Sequence, residues 1–179
     1  MRATGIVRRM DMLGRVVIPK EIRNTLKINF GDPIEVYTEK DEIILKRYSP
    51  IFNLDGAAKS VVTSLKKLTG HSAFITDKDV FVSGDGEKTE SIIGKNISSE
   101  LEKLISEKKN VIVNFSDGLG AVPLCGGEQV FFNQLFVPIV FENEGIGLVI
   151  LCDEQKERNI SPSDVQLATL GAEFIAANV

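Results

Sequence analysis

Apolar and polar positions in the first fifty residues alternate in short bursts whose period changes several times. From Thr4 to Met10, residues Thr4, Ile6, Arg8 and Met10 share one face and Gly5, Val7 and Arg9 the other, the period of a strand. Asp11-Met12-Leu13-Gly14 reads as a turn, with Gly14 supplying the positive φ that other residues resist. Arg15 to Ile18 reads as a second short, β-branched strand. Pro19 suits the first position of a helix, where its missing N–H costs nothing. That helix runs from Lys20 to about Lys27, with Ile18, Ile22 and Leu26 on one stripe. Asn29 to Pro33 is a breaker cluster, and a hairpin follows, Pro33–Thr38 and Glu42–Arg47 around Glu39–Asp41. Four short strands and one two-turn helix bury too little surface to be stable alone, and both hairpins leave open edges. Pairing with a second copy is the simplest remedy, so residues 1–50 are expected to form an obligate homodimer.

After the short joint Tyr48-Ser49-Pro50, residues 51–179 carry longer elements. Leu54, Ala58, Val61, Leu65 and Leu68 step by four and three, a helical seam over 54–69 that Gly70 closes. Strands are predicted at Ser72–Thr76 and Val80–Ser83, split by Asp77-Lys78-Asp79. Ser98–Lys108 reads as an amphipathic helix with Leu101, Leu104 and Ile105 on one face. Further strands fall at Val111–Phe115, Leu135–Phe141 and Gly145–Cys152, the last two joined by Glu142-Asn143-Glu144. Ser161-Pro162-Ser163-Asp164 carries a helix start, with serine at N-cap, proline at N1 and an acid at N3. The final helix, 162–177, is apolar on two sides. The order predicts an α+β layer, an antiparallel sheet with helices on one side. The spare apolar faces of helices 54–69 and 162–177 make them candidates for a second self-association surface, which would give a homotetramer.

Charge changes the picture. The chain is acidic overall, net −4, yet residues 1–50 hold ten Lys/Arg against seven Asp/Glu. Residues 51–179 hold eleven against eighteen. Within the first 23 residues Arg2, Arg8, Arg9, Arg15, Lys20 and Arg23 face only Asp11 and Glu21. A basic end on an acidic protein fits a polyanion partner; the plainer alternatives are a solvated face, or arginines paired with Asp11, Glu21 and Glu35 inside the dimer.

The runs Thr4-Gly5-Ile6-Val7-Arg8-Arg9, Leu13 to Arg23 and Gly31-Asp32-Pro33-Ile34-Glu35, with Ile43-Ile44-Leu45-Lys46, closely resemble the AbrB-type transition-state regulator domain. The second region resembles a GAF domain in outline, and the two in this order resemble regulators of transcription in the developing spore. The resemblance implies a mixed fold: a β-rich swapped-hairpin dimer barrel over 1–50, followed by an α+β GAF-like domain over 51–179. It implies a double-stranded DNA partner and assigns DNA contact to Arg8, Arg15 and Arg23, with Arg9 and Lys20 supporting. Where the family often has another basic residue after Arg23, this chain has Asn24. Family members bind DNA with little base consensus, which implies readout of shape and deformability. GAF domains commonly hold a small molecule, so an unidentified ligand is an expected partner; the glycine-rich stretch Gly118–Gly127 reads as a mobile loop or pocket lid rather than a phosphate cradle, since its spacing matches neither a P-loop nor a dinucleotide fingerprint.

Other chemistry finds little support. Cys125 and Cys152 have no Cys-x-x-Cys spacing and read as reduced, buried thiols. His71, the one histidine, follows a helix end and reads as a cap or surface residue; with two scattered cysteines it makes no zinc or haem set, so no cofactor or metal is expected. A Cys–His enzyme has no local signature here, and Asp153-Glu154 reads as a solvated loop rather than a catalytic pair. No apolar run approaches the ~20 residues of a spanning helix, and Arg8, Arg9 and Asp11 interrupt any secretory core. The expected address is the cytoplasm, on the nucleoid, in the forespore if the resemblance holds. The alternative is a swapped-hairpin antitoxin; those usually end in a short disordered tail, whereas residues 51–179 look packed.

Overall fold

The structure, a computed structural model, describes residues 5–26, 28, 30–127 and 131–179, without the side chains of Arg47, Phe52 and Asp55. Thr4, Lys27 and Asn29, to which the sequence reading gave a strand start, a helix end and a breaker, lie outside the described residues. The chain divides into two compact units between Tyr48 and Ser49.

The first unit contains α1 (Lys20–Thr25), β1 (Ile34–Glu39) and β2 (Glu42–Arg47). β1 and β2 form an antiparallel hairpin in register from Ile34↔Arg47 to Glu39↔Glu42, closed by Lys40 and Asp41, with Lys40 at φ 50°. Pro19 is the N-cap of α1 rather than its first residue, one position from expectation. The turn at Asp11–Gly14 forms as expected: Gly14 N–H donates to Asp11 O, Asp11 N–H to Arg15 O, and Gly14 sits at φ 75°.

The strands expected at Thr4–Met10 and Arg15–Ile18 are not formed among the described residues, which hold no ladder before Ile34. The reason lies in what a single chain can offer. Val7, Met12, Leu13 and Val17 are 84%, 103%, 75% and 74% exposed, and Pro19 is the one buried residue among the unit's described residues. Apolar strands without ladder partners in their own chain need partners from another.

The second unit runs α2 (Asp55–Thr69), β3 (Ser72–Thr76), β4 (Phe81–Asp85), α3 (Thr89–Ile92), α4 (Ser99–Glu107), β5 (Val111–Val113), β6 (Asn133–Phe141), β7 (Glu144–Asp153) and α5 (Pro162–Ala177). The strands make one antiparallel sheet in the order β4-β3-β7-β6-β5. Glu142 and Asn143, at φ 46° and 66°, join β6 to β7 in the two-residue turn whose twist suits a hairpin. Gly70 ends α2 in a left-handed C-cap, and Ser161 starts α5 with Asp164 in a reciprocal capping box.

Helices cover both faces of the sheet, not one. Ile75, Leu135, Val137, Val149 and Leu151 pack against Ala58, Val62 and Leu65 of α2 and Ala168, Ala172 and Ile175 of α5. Their neighbours Phe74, Phe136, Leu148, Ile150 and Cys152 face the other way, against Leu101 and Ile105 of α4. Strands apolar at every position need cover on both sides. In α2 the inward seam is Ala58, Val62 and Leu65; Val61 is half-buried and Leu68 exposed, a rotation from the predicted stripe. On α5, Leu170 and Phe174 are 63% and 49% exposed. His71 corrects another expectation: it is buried, between Asp153 and Asp164. Cys125 and Cys152 are both buried, as expected. No helix among the described residues is long and apolar enough to cross a membrane.

Candidate nucleic-acid interface

The basic residues of the first unit gather around the Asp11–Gly14 turn and along α1. Asp11 organises the turn. Its Oδ1 accepts from the backbone N–H of Leu13 and of Arg15, both at 2.9 Å, and its Oδ2 accepts from Arg15 Nε at 2.8 Å. The Arg15 backbone N–H first, then its guanidinium, hold the Asp11 carboxyl below the usual range. Because the pair uses Nε, the two Nη groups bond no described residue, and the Arg15 side chain is 71% exposed. A guanidinium fixed at its stem and open at its fork is arranged to grip a phosphate or a guanine edge.

Arg8 and Arg9 precede the same turn and are exposed; Arg8 Nη1 donates weakly to Val7 O at 3.4 Å. Lys20 opens α1, exposed, and Arg23 lies three residues on, half-buried, in the last turn. Residues three apart share a helix face, so Lys20 and Arg23 form one basic stripe. Among the described residues, Arg15 is the one of these five in an ion pair, and its partner Asp11 is one of the three acids the sequence offered for that role. The turn itself was expected at Asp11–Gly14; that the Asp11 side chain holds it, through Leu13 and Arg15, was not, though an aspartate opening a turn carries that signal.

The glycine-rich stretch is not free throughout. Gln134 clamps Val122 at both backbone groups, accepting from its N–H at 2.7 Å and donating to its carbonyl at 2.8 Å. Leu124 and Cys125 are buried, and Ile97 bridges to Cys125. An added Cβ at Gly118, Gly120, Gly126 or Gly127 meets nothing within 4 Å. Leu124 and Cys125 belong to the same buried cluster as Phe74, Phe81, Phe131 and Phe136. Among the described residues no group of three or more His, Cys, Asp or Glu is placed to hold a metal.

Comparison with known proteins matches both units. Residues 53–179 match the family described as stage V sporulation protein T C-terminal, transcription factor. Residues 7–52 match the family described as antidote-toxin recognition MazE, bacterial antitoxin. Stage V sporulation protein T of Bacillus subtilis (strain 168) is 39% identical over 178 residues, 98% of this chain and 97% of that protein. The transition state regulatory protein AbrB of the same organism is 56% identical over 50 residues, 28% of this chain and 52% of that protein. The GAF domain of an Acinetobacter phosphoenolpyruvate-protein phosphotransferase superposes with a TM-score of 0.60 at 13% identity, covering 74% of this chain and 83% of that one. The first unit is thus AbrB-like and the second has the GAF fold. The chain belongs to the stage V sporulation protein T family of transcription factors.

Proposed function

We propose that two chains interleave residues 1–50 and present Arg8, Arg9, Arg15, Lys20 and Arg23 twice over on one two-fold face that binds double-stranded DNA. The observation that carries this reading is the Arg15 side chain, tethered at Nε by Asp11 and open at its fork. It lies in a segment where Val7, Met10, Met12, Leu13 and Val17 are exposed. Residues 51–179 form the regulatory part. They set the spacing of the DNA-binding heads, join dimers into a homotetramer through α2 and α5, and answer an unidentified small molecule. The protein works without catalysis, on the nucleoid in the cytoplasm and in the forespore; the word sporulation in its relative's name supports the last. The antitoxin reading draws on the family matched by residues 7–52. Against it stand the packed core of residues 51–179 and full-length similarity to the sporulation protein. The test is the double variant Arg15→Ala/Arg23→Ala in a gel-shift assay. Loss of about 3–6 kcal/mol per chain, two charge-assisted bonds of about 1.5–3 kcal/mol each, and twice that for the dimer, is expected with the native assembly retained. Unchanged duplex binding by an intact assembly overturns the assignment.

A further inference from the structure

His71 is 2% exposed and lies between two carboxylates. Its Nδ1 is 3.0 Å from Asp153 Oδ2, and its Nε2 is 3.5 Å from Asp164 Oδ2. Three elements meet there. Asp153 ends β7, Asp164 is the N3 residue of α5, and His71 follows Gly70, the cap of α2. Arg158 reaches the same point from the loop before α5. Its Nη1 lies 3.5 Å from Asp153 Oδ2, and its Nη2 donates to Thr69 O at the end of α2.

The surrounding donors settle which way protons can point. Asp164 Oδ2 already accepts from Ser161 N–H at 2.8 Å and Ser161 Oγ at 2.6 Å. Asp153 Oδ1 accepts from Gln155 N–H at 2.8 Å, and its Oδ2 also faces Arg158. Both carboxyls are therefore used as acceptors. A neutral imidazole has one N–H and one lone pair, so either tautomer would aim a lone pair at a carboxylate oxygen. The imidazolium carries an N–H on both nitrogens, bonding Asp153 through Nδ1 and facing Asp164 through Nε2 as an ion pair. It also balances the charge: two carboxylates against one guanidinium and one imidazolium, where an uncompensated buried charge is costly.

We infer that His71 is a proton-operated latch. Charged, it ties the end of β7 and the first turn of α5 to the end of α2. Uncharged, it keeps the shorter contact to Asp153 and releases Asp164, so the first turn of α5 loosens. The sign follows: the bridge stabilises the fold on the acid side and is lost as pH rises and the ring gives up its proton. The other charged groups nearby are Glu87, beyond β4, and Glu154, which pairs with Lys88 at 2.5 Å. Lys66 of α2 pairs with Asp85 at 3.5 Å. A hydrogen bond to Glu154 holds the Glu87 carboxyl above its usual range, and its ionisation adds negative charge near Asp153, which favours the closed latch. The latch sits at one end of the helix pair that exposes Leu68, Leu170 and Phe174, so it bears on how that face is presented.

The test uses the full-length protein with 15N in its one imidazole. Ring-nitrogen NMR is recorded from about pH 5 to pH 8, the span over which histidines change charge. Amide protection is followed over the same range by hydrogen exchange corrected for its intrinsic pH dependence. The expected result is both ring nitrogens protonated at the acid end. As they deprotonate, protection in residues 163–166 should fall while that of α4 holds. In His71→Gln the 163–166 protection should be flat. A single neutral tautomer throughout, or equal pH profiles in the two proteins, overturns the inference. If His71→Gln does not fold, the wild-type tautomer and the contrast between α5 and α4 still decide it.

Discussion

Placing a carboxylate at Val7 or at Val17 tests whether a second chain completes the first unit. In a single chain these residues are 84% and 74% exposed, so Val7→Asp or Val17→Asp would cost no more than about 0.5 kcal/mol. If a partner's strands cover them, each variant buries an unpaired carboxylate, at roughly 3–5 kcal/mol per chain. The two-fold axis doubles this to roughly 6–10 kcal/mol, or about 10⁴–10⁷ in the dimer dissociation constant. Hydrogen exchange read by mass spectrometry isolates the segment within the full-length chain. Amides at 6–10 and 15–18, which hold no ladder in one chain, should be protected in the wild type and exchange freely in both variants. Free exchange there in the wild type, or undiminished protection in both variants, would refute the reasoning.

Other consequences can be checked more quickly. Asp11→Asn should unsettle the turn and slacken Arg15, weakening DNA affinity. Because the Asp11 carboxyl is held below its usual range, its contribution is complete at neutral pH and is lost as pH falls into the acid range, which a pH series of the gel shift will show. Gly147→Ala places a methyl 2.0 Å from Thr76 O, so overpacking of at least about 1–3 kcal/mol should lower the melting temperature by several degrees in calorimetry. Leu170→Asp with Phe174→Asp should leave the melting temperature near wild type but shift sedimentation from tetramer to dimer. Burial pushes the Cys152 thiol well up, so it should resist alkylation at neutral pH until the protein is unfolded, as mass spectrometry of labelled peptides will report.

Features set by neighbours in the chain were legible from sequence. The capping box at Ser161–Asp164, the Gly70 cap, the Glu142-Asn143 turn and β3 stand where local pattern put them. Features set by distant or foreign partners were not. The strands expected around the Asp11 turn are not formed among the described residues of one chain, and no period in one sequence reveals whose edge a strand will pair with. The helix α4 crosses to the opposite sheet face because β3, β6 and β7 are apolar on both sides, which their unbroken hydrophobic runs hinted at. His71 looked like an end-of-helix residue because its partner Asp153 lies 82 positions away. Of the interface, the basic residues were visible in composition and motif; the orientation of Arg15 by Asp11 emerged only with the turn built.

The salt dependence of duplex binding measures the shared basic face most directly. If each chain neutralises about four phosphates, a dimer engages about eight, and log K plotted against log salt should fall with a slope near roughly −7. A slope flatter than about −2 would mean that the clustered arginines are not what holds the DNA.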